Sequence, residues 1–201
     1  MSFETFGRPD AAAWGTSDDG HAWGFGSYLS AAAAIVSGRG QLTFPNSTSE
    51  SESTVVGAGP WTIGADFVFN TLIRWTNPGN ANRLMTFGLG ASAEPVYLGL
   101  DPRSTGLVRL NVEGSTSATV NLTLTQGVDH YLRWEHKPSQ DMSRAKVWPV
   151  GGAEPDWQVS RATSGDTYGA STDEFSFFAS NAGFAGWLVE FDYFLFNENI
   201  G

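Results

Sequence analysis

The chain has 201 residues, a formal net charge of −10 and no cysteine, which excludes disulfides, thiol catalysis and cysteine-based metal sites. The acidity argues against nucleic acid as a partner, because a phosphate backbone is bound by clustered Lys and Arg. Aromatic residues make up 13% of the sequence and charged residues 16%, a composition typical of a folded, outward-facing β protein. No apolar run approaches the ~20 residues of a membrane span, and the start of the chain lacks the pattern of a signal peptide.

Apolar and polar residues alternate with a period of two along most of the chain, as half-buried strands require. Tyr28–Val36 is predicted as a strand despite its alanines, because an isolated helix of this length is marginal. Ile63–Thr71, Leu107–Glu113 and His130–His136 repeat the alternation. The last of these is expected to form a hairpin with Arg144–Trp148.

The final strand, Trp187–Phe196, carries the strongest alternation. One face is predicted to hold five apolar or aromatic residues, with two acidic residues opposite: Trp187, Val189, Phe191, Tyr193 and Leu195 against Glu190 and Asp192. Phe194 and Phe196 then fall on the second face. An exposed aromatic patch usually marks an interface, so the segment Phe194–Gly201 is predicted to lie at a protein–protein contact. The alternative is that the chain's own segment Phe3–Phe6 covers it.

Turn residues separate the predicted strands, as at Asn77-Pro78-Gly79-Asn80, Asp101-Pro102-Arg103-Ser104 and the five residues Lys137–Asp141. About twelve to fourteen strands at regular spacing predict an all-β protein. We expect one domain, residues 1–201, built as a two-sheet antiparallel jelly-roll sandwich.

Two sets of residues resemble a known family. The first is Phe6-Gly7-Arg8, Trp14-Gly15-Thr16, Gly20 and Trp23, and the second is Tyr131–Trp134, Arg144–Pro149 and Glu154–Trp157, closed by Phe191–Phe194. Their order resembles the concanavalin A-like (laminin-G-like) jelly-roll domains of actinobacterial secreted proteins and of tail proteins from phages that infect those bacteria. The resemblance implies two curved antiparallel sheets and a glycan-binding or virion role. It implies no particular ligand.

Candidate catalytic and metal sites fall short of the required patterns. Laminarinase-type glucanases of this fold carry Glu-x-Asp-x-x-Glu on one strand, but after Glu190 and Asp192 the third position is Leu195. The second carboxylate that a retaining mechanism needs is therefore missing, and no catalytic residue is predicted. No cofactor and no metal site are predicted either. A structural calcium ion at Asp18-Asp19-Gly20 stays open, with an ordinary turn as the alternative.

The tryptophans supply the predicted ligand site. Trp14, Trp23, Trp134 and Trp187 are expected in the core, whereas three others adjoin loops rich in Asn, Pro and Gly. Sugars stack their apolar faces on such rings, and amides and charged groups bind their hydroxyls. The predicted glycan-binding residues are Trp75, Asn77, Asn80, Asn82, Arg83, Trp148 and Trp157. A polar hairpin loop with one packing tryptophan is the alternative for residues 74–83.

These observations predict a non-enzymatic virion protein, a minor component of a phage tail with a lectin-like fold that binds host-surface glycans. The expected partners are other virion proteins, further copies of the chain and a cell-surface polysaccharide, without nucleic acid or membrane insertion. The expected location is the virion tail, or otherwise the extracellular space. Two alternatives remain open: a carbohydrate-binding module of a secreted bacterial enzyme, and a glycan hydrolase with an unrecognised site.

Overall fold

Strands account for most of the residues that the structure describes. The structure, a computed structural model, describes residues 2–18, 20, 22–28, 32–44, 51–61, 66–76, 83–89, 96–102, 107–166, 173–181 and 187–198. Its strands are β1 (Ser2–Glu4), β2 (Trp23–Tyr28), β3 (Ala32–Val36), β4 (Arg39–Phe44), β5 (Ser51–Trp61), β6 (Phe67–Thr76), β7 (Arg83–Leu89), β8 (Val96–Pro102), β9 (Leu107–Glu113), β10 (Ser117–Thr123), β11 (His130–Lys137), β12 (Met142–Pro149), β13 (Val159–Arg161), β14 (Asp173–Asn181) and β15 (Trp187–Glu198). One short 3-10 helix, Pro138–Gln140, joins β11 to β12.

The strands form two antiparallel sheets. The eight-stranded sheet has the order β13-β12-β11-β6-β15-β4-β3, with β1 pairing β15 beside this path, and the seven-stranded sheet has the order β10-β9-β8-β7-β14-β5-β2. The predicted all-β jelly-roll sandwich is confirmed. The predicted strands Leu107–Glu113 and His130–His136 and the hairpin of β11 with β12 are also present, with Tyr131 opposite Trp148. In the described residues no helix has the length and apolar character needed to cross a membrane.

The inner faces of the two sheets share one hydrophobic core. Phe69 of the eight-stranded sheet lies 5.1 Å from Phe87 of the seven-stranded sheet between ring centroids, and Phe87 in turn contacts Phe191 at 6.1 Å. Each of these three rings is fully buried. Trp14 and Trp134 are buried as predicted, whereas Trp23 is half-buried against the core. Trp187 lies in β15, and its side chain is outside the described residues.

The N-terminal segment closes one end of this core. Glu4 is 1% exposed, and its carboxylate accepts hydrogen bonds from the Phe6 amide, the Arg8 guanidinium and Trp23 Nε1. Phe6 adopts a φ of 54° and lays its ring over Gly40, where an added Cβ would lie 2.5 Å from the ring. Only glycine therefore fits at position 40.

A β-bulge in β15 corrects the predicted face of the last strand. Phe191 pairs with Ile73 but Tyr193 pairs with Leu72, so Asp192 is an extra residue on β15. A bulge of one residue reverses which side chains point inward. Val189 and Phe191 point into the core before the bulge, and Phe194 and Phe196 do so after it.

The bulge also buries the aromatic side chains on which the predicted protein contact of Phe194–Gly201 was based; residues 199–201 lie outside the described residues. Phe194 and Phe196 are each 3% exposed; Phe196 packs on Phe69 at 4.7 Å, and Phe194 packs on Phe6 at 5.4 Å. The alternative explanation is the correct one, since β1 pairs with this end of β15. Tyr193 and Leu195 lie on the outer face instead, where both are half-buried.

Candidate functional site

Trp75 is not a surface residue. Its side chain is 1% exposed, and its ring stacks on the buried His130 ring at 4.8 Å with an interplanar angle of 24°. Burial lowers the pKa of His130. The inward direction of Trp75 follows from its position in β6, where the odd-numbered residues from Phe67 onward face the core. The structure therefore places Trp75 in the core, as the alternative of one packing tryptophan states, and not on the surface where a glycan would bind.

The other predicted site residues divide into two groups. Asn77, Asn80 and Asn82 lie outside the described residues, and Arg83 begins β7 with its side chain outside them as well. Trp148 and Trp157, by contrast, lie near one another. The Lys146 ammonium is 5.7 Å from the Trp148 ring centroid and 4.5 Å from the Trp157 ring centroid. The structure thus brings these two tryptophans together and separates them from Trp75.

Trp157 is held against the outer face of the hairpin formed by β11 and β12. The Arg144 guanidinium lies 4.2 Å from the ring centroid of Trp157, a distance typical of a cation–π contact. Lys146 Nζ binds Glu154 Oε1 at 2.7 Å and donates to the Pro155 carbonyl at 3.1 Å. These contacts fold the segment before Trp157 back over β12. The ring of Trp157 therefore packs against the cationic groups of Arg144 and Lys146.

Trp148 belongs to a line of half-buried side chains that crosses four neighbouring strands. Register pairs Trp148 of β12 with Tyr131 of β11, Tyr131 with Leu72 of β6, and Leu72 with Tyr193 of β15. We call these four residues the aromatic row. With strands about 4.8 Å apart, the row extends for roughly 14 Å. The Tyr131 and Trp148 rings are 5.3 Å apart. The pKa of Tyr193 is raised by burial and, to a smaller degree, by Tyr131 and Asp192.

A second line of side chains runs beside the aromatic row on the same outer face. This polar row consists of Arg39, Gln41, Arg74, Asp129 and Glu190. Arg39 donates two hydrogen bonds to Asp129, at 2.7 and 3.0 Å. Glu190 accepts from Arg74 at 2.6 Å and from Gln41 at 3.0 Å. Arg74 lies two residues from Leu72 on one strand, which places the rows about 7 Å apart.

The charged and amide groups of the polar row bind one another through hydrogen bonds. The Arg39 guanidinium holds the pKa of Asp129 below its usual value, and both oxygens of Glu190 have hydrogen-bond partners. A general acid needs a pKa near the working pH, and Asp129 is shifted away from it. Within the described ranges, no group of three or more His, Asp or Glu side chains is arranged to hold a metal ion.

The predicted calcium turn is partly described. Asp18 Oδ2 accepts hydrogen bonds from the amide and the hydroxyl of Thr5, at 2.8 and 2.6 Å, and Asp18 Oδ1 lies 3.8 Å from Arg8. Asp19 lies outside the described residues. The described part of the turn therefore ties Asp18 to the N-terminal segment.

The outer face of the seven-stranded sheet carries a smaller polar group. Asp101 is 3% exposed and binds Arg109 at 3.0 Å. Asn111 is 5% exposed and lies across Gly99, where any Cβ would collide with the Asn111 amide. Tyr97 is half-buried on the same face of β8. This group offers one described aromatic ring, whereas the eight-stranded sheet offers an aligned set.

Comparison with known proteins agrees with this architecture. No family model and no curated protein sequence matches the chain. Among solved structures, peanut lectin aligns with a TM-score of 0.63 at 14% identity, covering 95% of this chain and 96% of the lectin. The fold is that of the legume lectins. A glycosyl hydrolase family protein from Mycobacterium fortuitum shares this lectin fold (TM-score 0.64, 15% identity, 97% and 98% coverage). So does an uncharacterized protein from Mycobacterium paratuberculosis (TM-score 0.67, 13% identity, 97% and 99% coverage).

Sequence reasoning missed most of the two rows of side chains on this lectin fold. Tyr131 was detectable, because strict alternation in β11 places it on the face opposite Leu132 and Trp134. Tyr193 was not, since the bulge at Asp192 reverses its direction. The pair of Arg39 with Asp129 joins residues 90 positions apart, and no local pattern links such residues.

Proposed function

We propose that this protein is a non-enzymatic carbohydrate-binding domain that serves as a structural and adhesive component of a phage tail. Its ligand is a polysaccharide of the bacterial surface, bound along the aromatic row. The observation that carries the proposal is the pairing of the aromatic row with the polar row on one sheet face. Stacking on Trp148, Tyr131 and Tyr193 would bind the apolar faces of successive sugar rings, while the polar row would bind their hydroxyls.

The dimensions of the two rows favour an extended glycan over a single sugar. The aromatic row is roughly 14 Å long, and its Tyr131 and Trp148 rings are inclined at 35° to one another. Val128 and Val150, 38% and 46% exposed, are the exposed large hydrophobic residues in the described part of the chain. The Val150 amide donates to the Asp129 carbonyl at 2.9 Å, which places both valines beside the Asp129 end of the polar row.

We propose a non-enzymatic protein because of the ion pairs that the carboxylates of the polar row form. Arg39 lowers the pKa of Asp129 and Glu190 is paired with Arg74, whereas glycoside hydrolysis needs one carboxyl group to carry a proton. A reducing-sugar assay over bacterial cell-wall polysaccharides tests this point directly. Release of sugar by the purified chain would contradict it.

The phage-tail setting rests on the sequence resemblance of residues such as Phe6–Arg8, Tyr131–Trp134 and Arg144–Pro149. A polyclonal antibody against the domain, used with electron microscopy on phage particles, tests it. Labelling at the tail is expected. If labelling is confined to secreted bacterial protein, the domain belongs instead to an enzyme-associated carbohydrate-binding module, and the binding proposal stands without the tail.

Binding itself is tested by affinity electrophoresis and calorimetry with neutral cell-wall polysaccharides. Tyr131→Ala and Trp148→Ala should each weaken binding at least tenfold, since buried aromatic anchors contribute about 2 kcal/mol or more. Tyr97→Ala is the matched control, because it removes a half-buried tyrosine from the outer face of the other sheet. Equal binding by all variants would refute the site, and loss only with Tyr97→Ala would move it to the seven-stranded sheet.

A further inference from the structure

Strand β10 ends the seven-stranded sheet with one side unpaired by any described strand. It pairs with β9 over all seven of its residues, Ser117–Thr123, and it is the last strand of the sheet. Its second row of backbone N–H and C=O groups therefore faces away from the sheet. Such a row is a template for another strand.

The other strands that end the two sheets are shorter. β13 has three residues, β3 has five and β2 has six. The β3 edge is also covered, since Ala11 exchanges backbone hydrogen bonds with Ile35 at 3.0 and 2.7 Å and Trp14 Nε1 donates to the Ala34 carbonyl. β10 is thus the longest of these four edges.

The sequence of β10 lacks the usual protection of an exposed edge. Natural edges carry charges, especially Lys, or Pro, yet no charged residue and no proline lies between Gly114 and Val128 in a chain of net charge −10. The outward side chains Ser117, Thr119, Asn121 and Thr123 are exposed, and the inward Ala118, Val120 and Leu122 are only partly buried against the core. An uncharged edge is the surface on which two acidic copies could meet without repulsion.

We propose that β10 pairs antiparallel with β10 of a second copy of this chain, about a two-fold axis at Val120. In that register Val120 faces Val120, and Ala118 faces Leu122, so the partly buried apolar residues cover one another. On the outer side Thr119 faces Asn121 and Ser117 faces Thr123, which are cross-strand pairs able to hydrogen-bond. The interface is isologous, and it closes on itself as a dimer.

This dimer has a geometric consequence for ligand display. A two-fold axis perpendicular to the paired sheets leaves equivalent faces of both copies on the same side. Both eight-stranded sheets, each with its aromatic row, then face one direction. The dimer is independent of the glycan proposal, but if that proposal holds, two weak sites would engage one surface with the gain of multivalency.

Sedimentation velocity over a range of concentrations and salt tests the dimer. The chain should sediment at twice its 21.6 kDa mass, and dimerisation should strengthen with salt, because salt screens the repulsion of two acidic bodies. Thr119→Lys/Asn121→Lys places Lys opposite Lys twice and should weaken dimerisation at least tenfold. Thr119→Lys/Asn121→Glu places Lys opposite Glu twice and should restore it.

A matched control adds the same charge elsewhere. Thr43→Lys/Thr76→Lys changes two exposed threonines on the eight-stranded sheet and should leave the dimer intact. A chain that stays monomeric at every concentration and salt overturns the proposal, as does a dimer that the Lys/Lys variant leaves unchanged. Failure of the Lys/Glu variant to restore a dimer lost in the Lys/Lys variant overturns the proposed register. Far-UV circular dichroism on each variant confirms that it is folded.

Discussion

Replacing Trp75 with Ala distinguishes a tryptophan of the core from a tryptophan of the surface, such as Trp148. Trp75 is 1% exposed and stacked on His130, so its removal leaves a large cavity. Such truncations cost about 3–5 kcal/mol. For a domain of this size each kcal/mol lowers Tm by about 2–4 °C, so Tm should fall by roughly 6–20 °C. Trp148→Ala, at a half-exposed position, should lower it far less.

A second readout of the same variant is the titration of His130. Burial lowers the pKa of this histidine, and water admitted to the cavity should let the pKa rise toward its ordinary value of about 6.5. Calorimetry gives the stability change, and NMR titration of the histidine ring gives the pKa. A change in Tm below about 2 °C together with lost glycan binding would refute the core assignment, since it would mean that Trp75 contacts the ligand.

Three further predictions concern other buried side chains. Phe196→Ser should lower Tm by roughly 6 °C or more, since Phe196 packs on Phe69; unchanged Tm with lost incorporation into particles would contradict its core position. The pKa of His136 is lowered to about 4 by burial and by Arg161. As the pH falls, this histidine therefore binds a proton in the unfolded chain at a higher pH than it does in the folded chain. The free energy of unfolding should therefore decline by up to about 3 kcal/mol between pH 6.5 and pH 4, and urea titrations should show a flatter decline in His136→Gln. Glu190→Gln weakens the pair with Arg74 and should cost about 2 kcal/mol without loss of any glycosidase activity; abolition of a measured activity would show that Glu190 is catalytic.

The sandwich could be predicted from the sequence because each sheet has one face buried in the core and one face toward solvent. In β11 this contrast is strict: Leu132 and Trp134 face inward, and Tyr131 and Arg133 face outward. Local alternation carries that information. The proposed site was harder to predict, because its residues come from strands far apart in sequence, and the order of strands follows from packing rather than from local pattern.

Trp75 shows that the composition of the residues next to it in sequence does not determine whether a side chain is buried. The residues after it are rich in Asn, Pro and Gly, which suggested a surface loop, but Trp75 is the last inward position of β6 before that loop. Position along a strand determines direction, and one residue decides between core and surface. The same applies to Phe194. Its direction depends on the bulge at Asp192, which the residue types in this segment do not predict.

The bulge at Asp192 has a consequence for how the chain tolerates changes in length. Insertions and deletions are normally absorbed in loops, but at this position a deletion would restore unbroken pairing between β15 and β6. Because Tyr193 already pairs with Leu72 and Phe194 with Thr71, the shortened strand would keep Phe194 and Phe196 in the core and Tyr193 and Leu195 outside. Loss of Leu195, by contrast, would leave an odd count after Phe191 and move one of the two buried phenylalanines to the outer face. A deletion scan along β15 should therefore find Asp192 more tolerant of removal than Leu195.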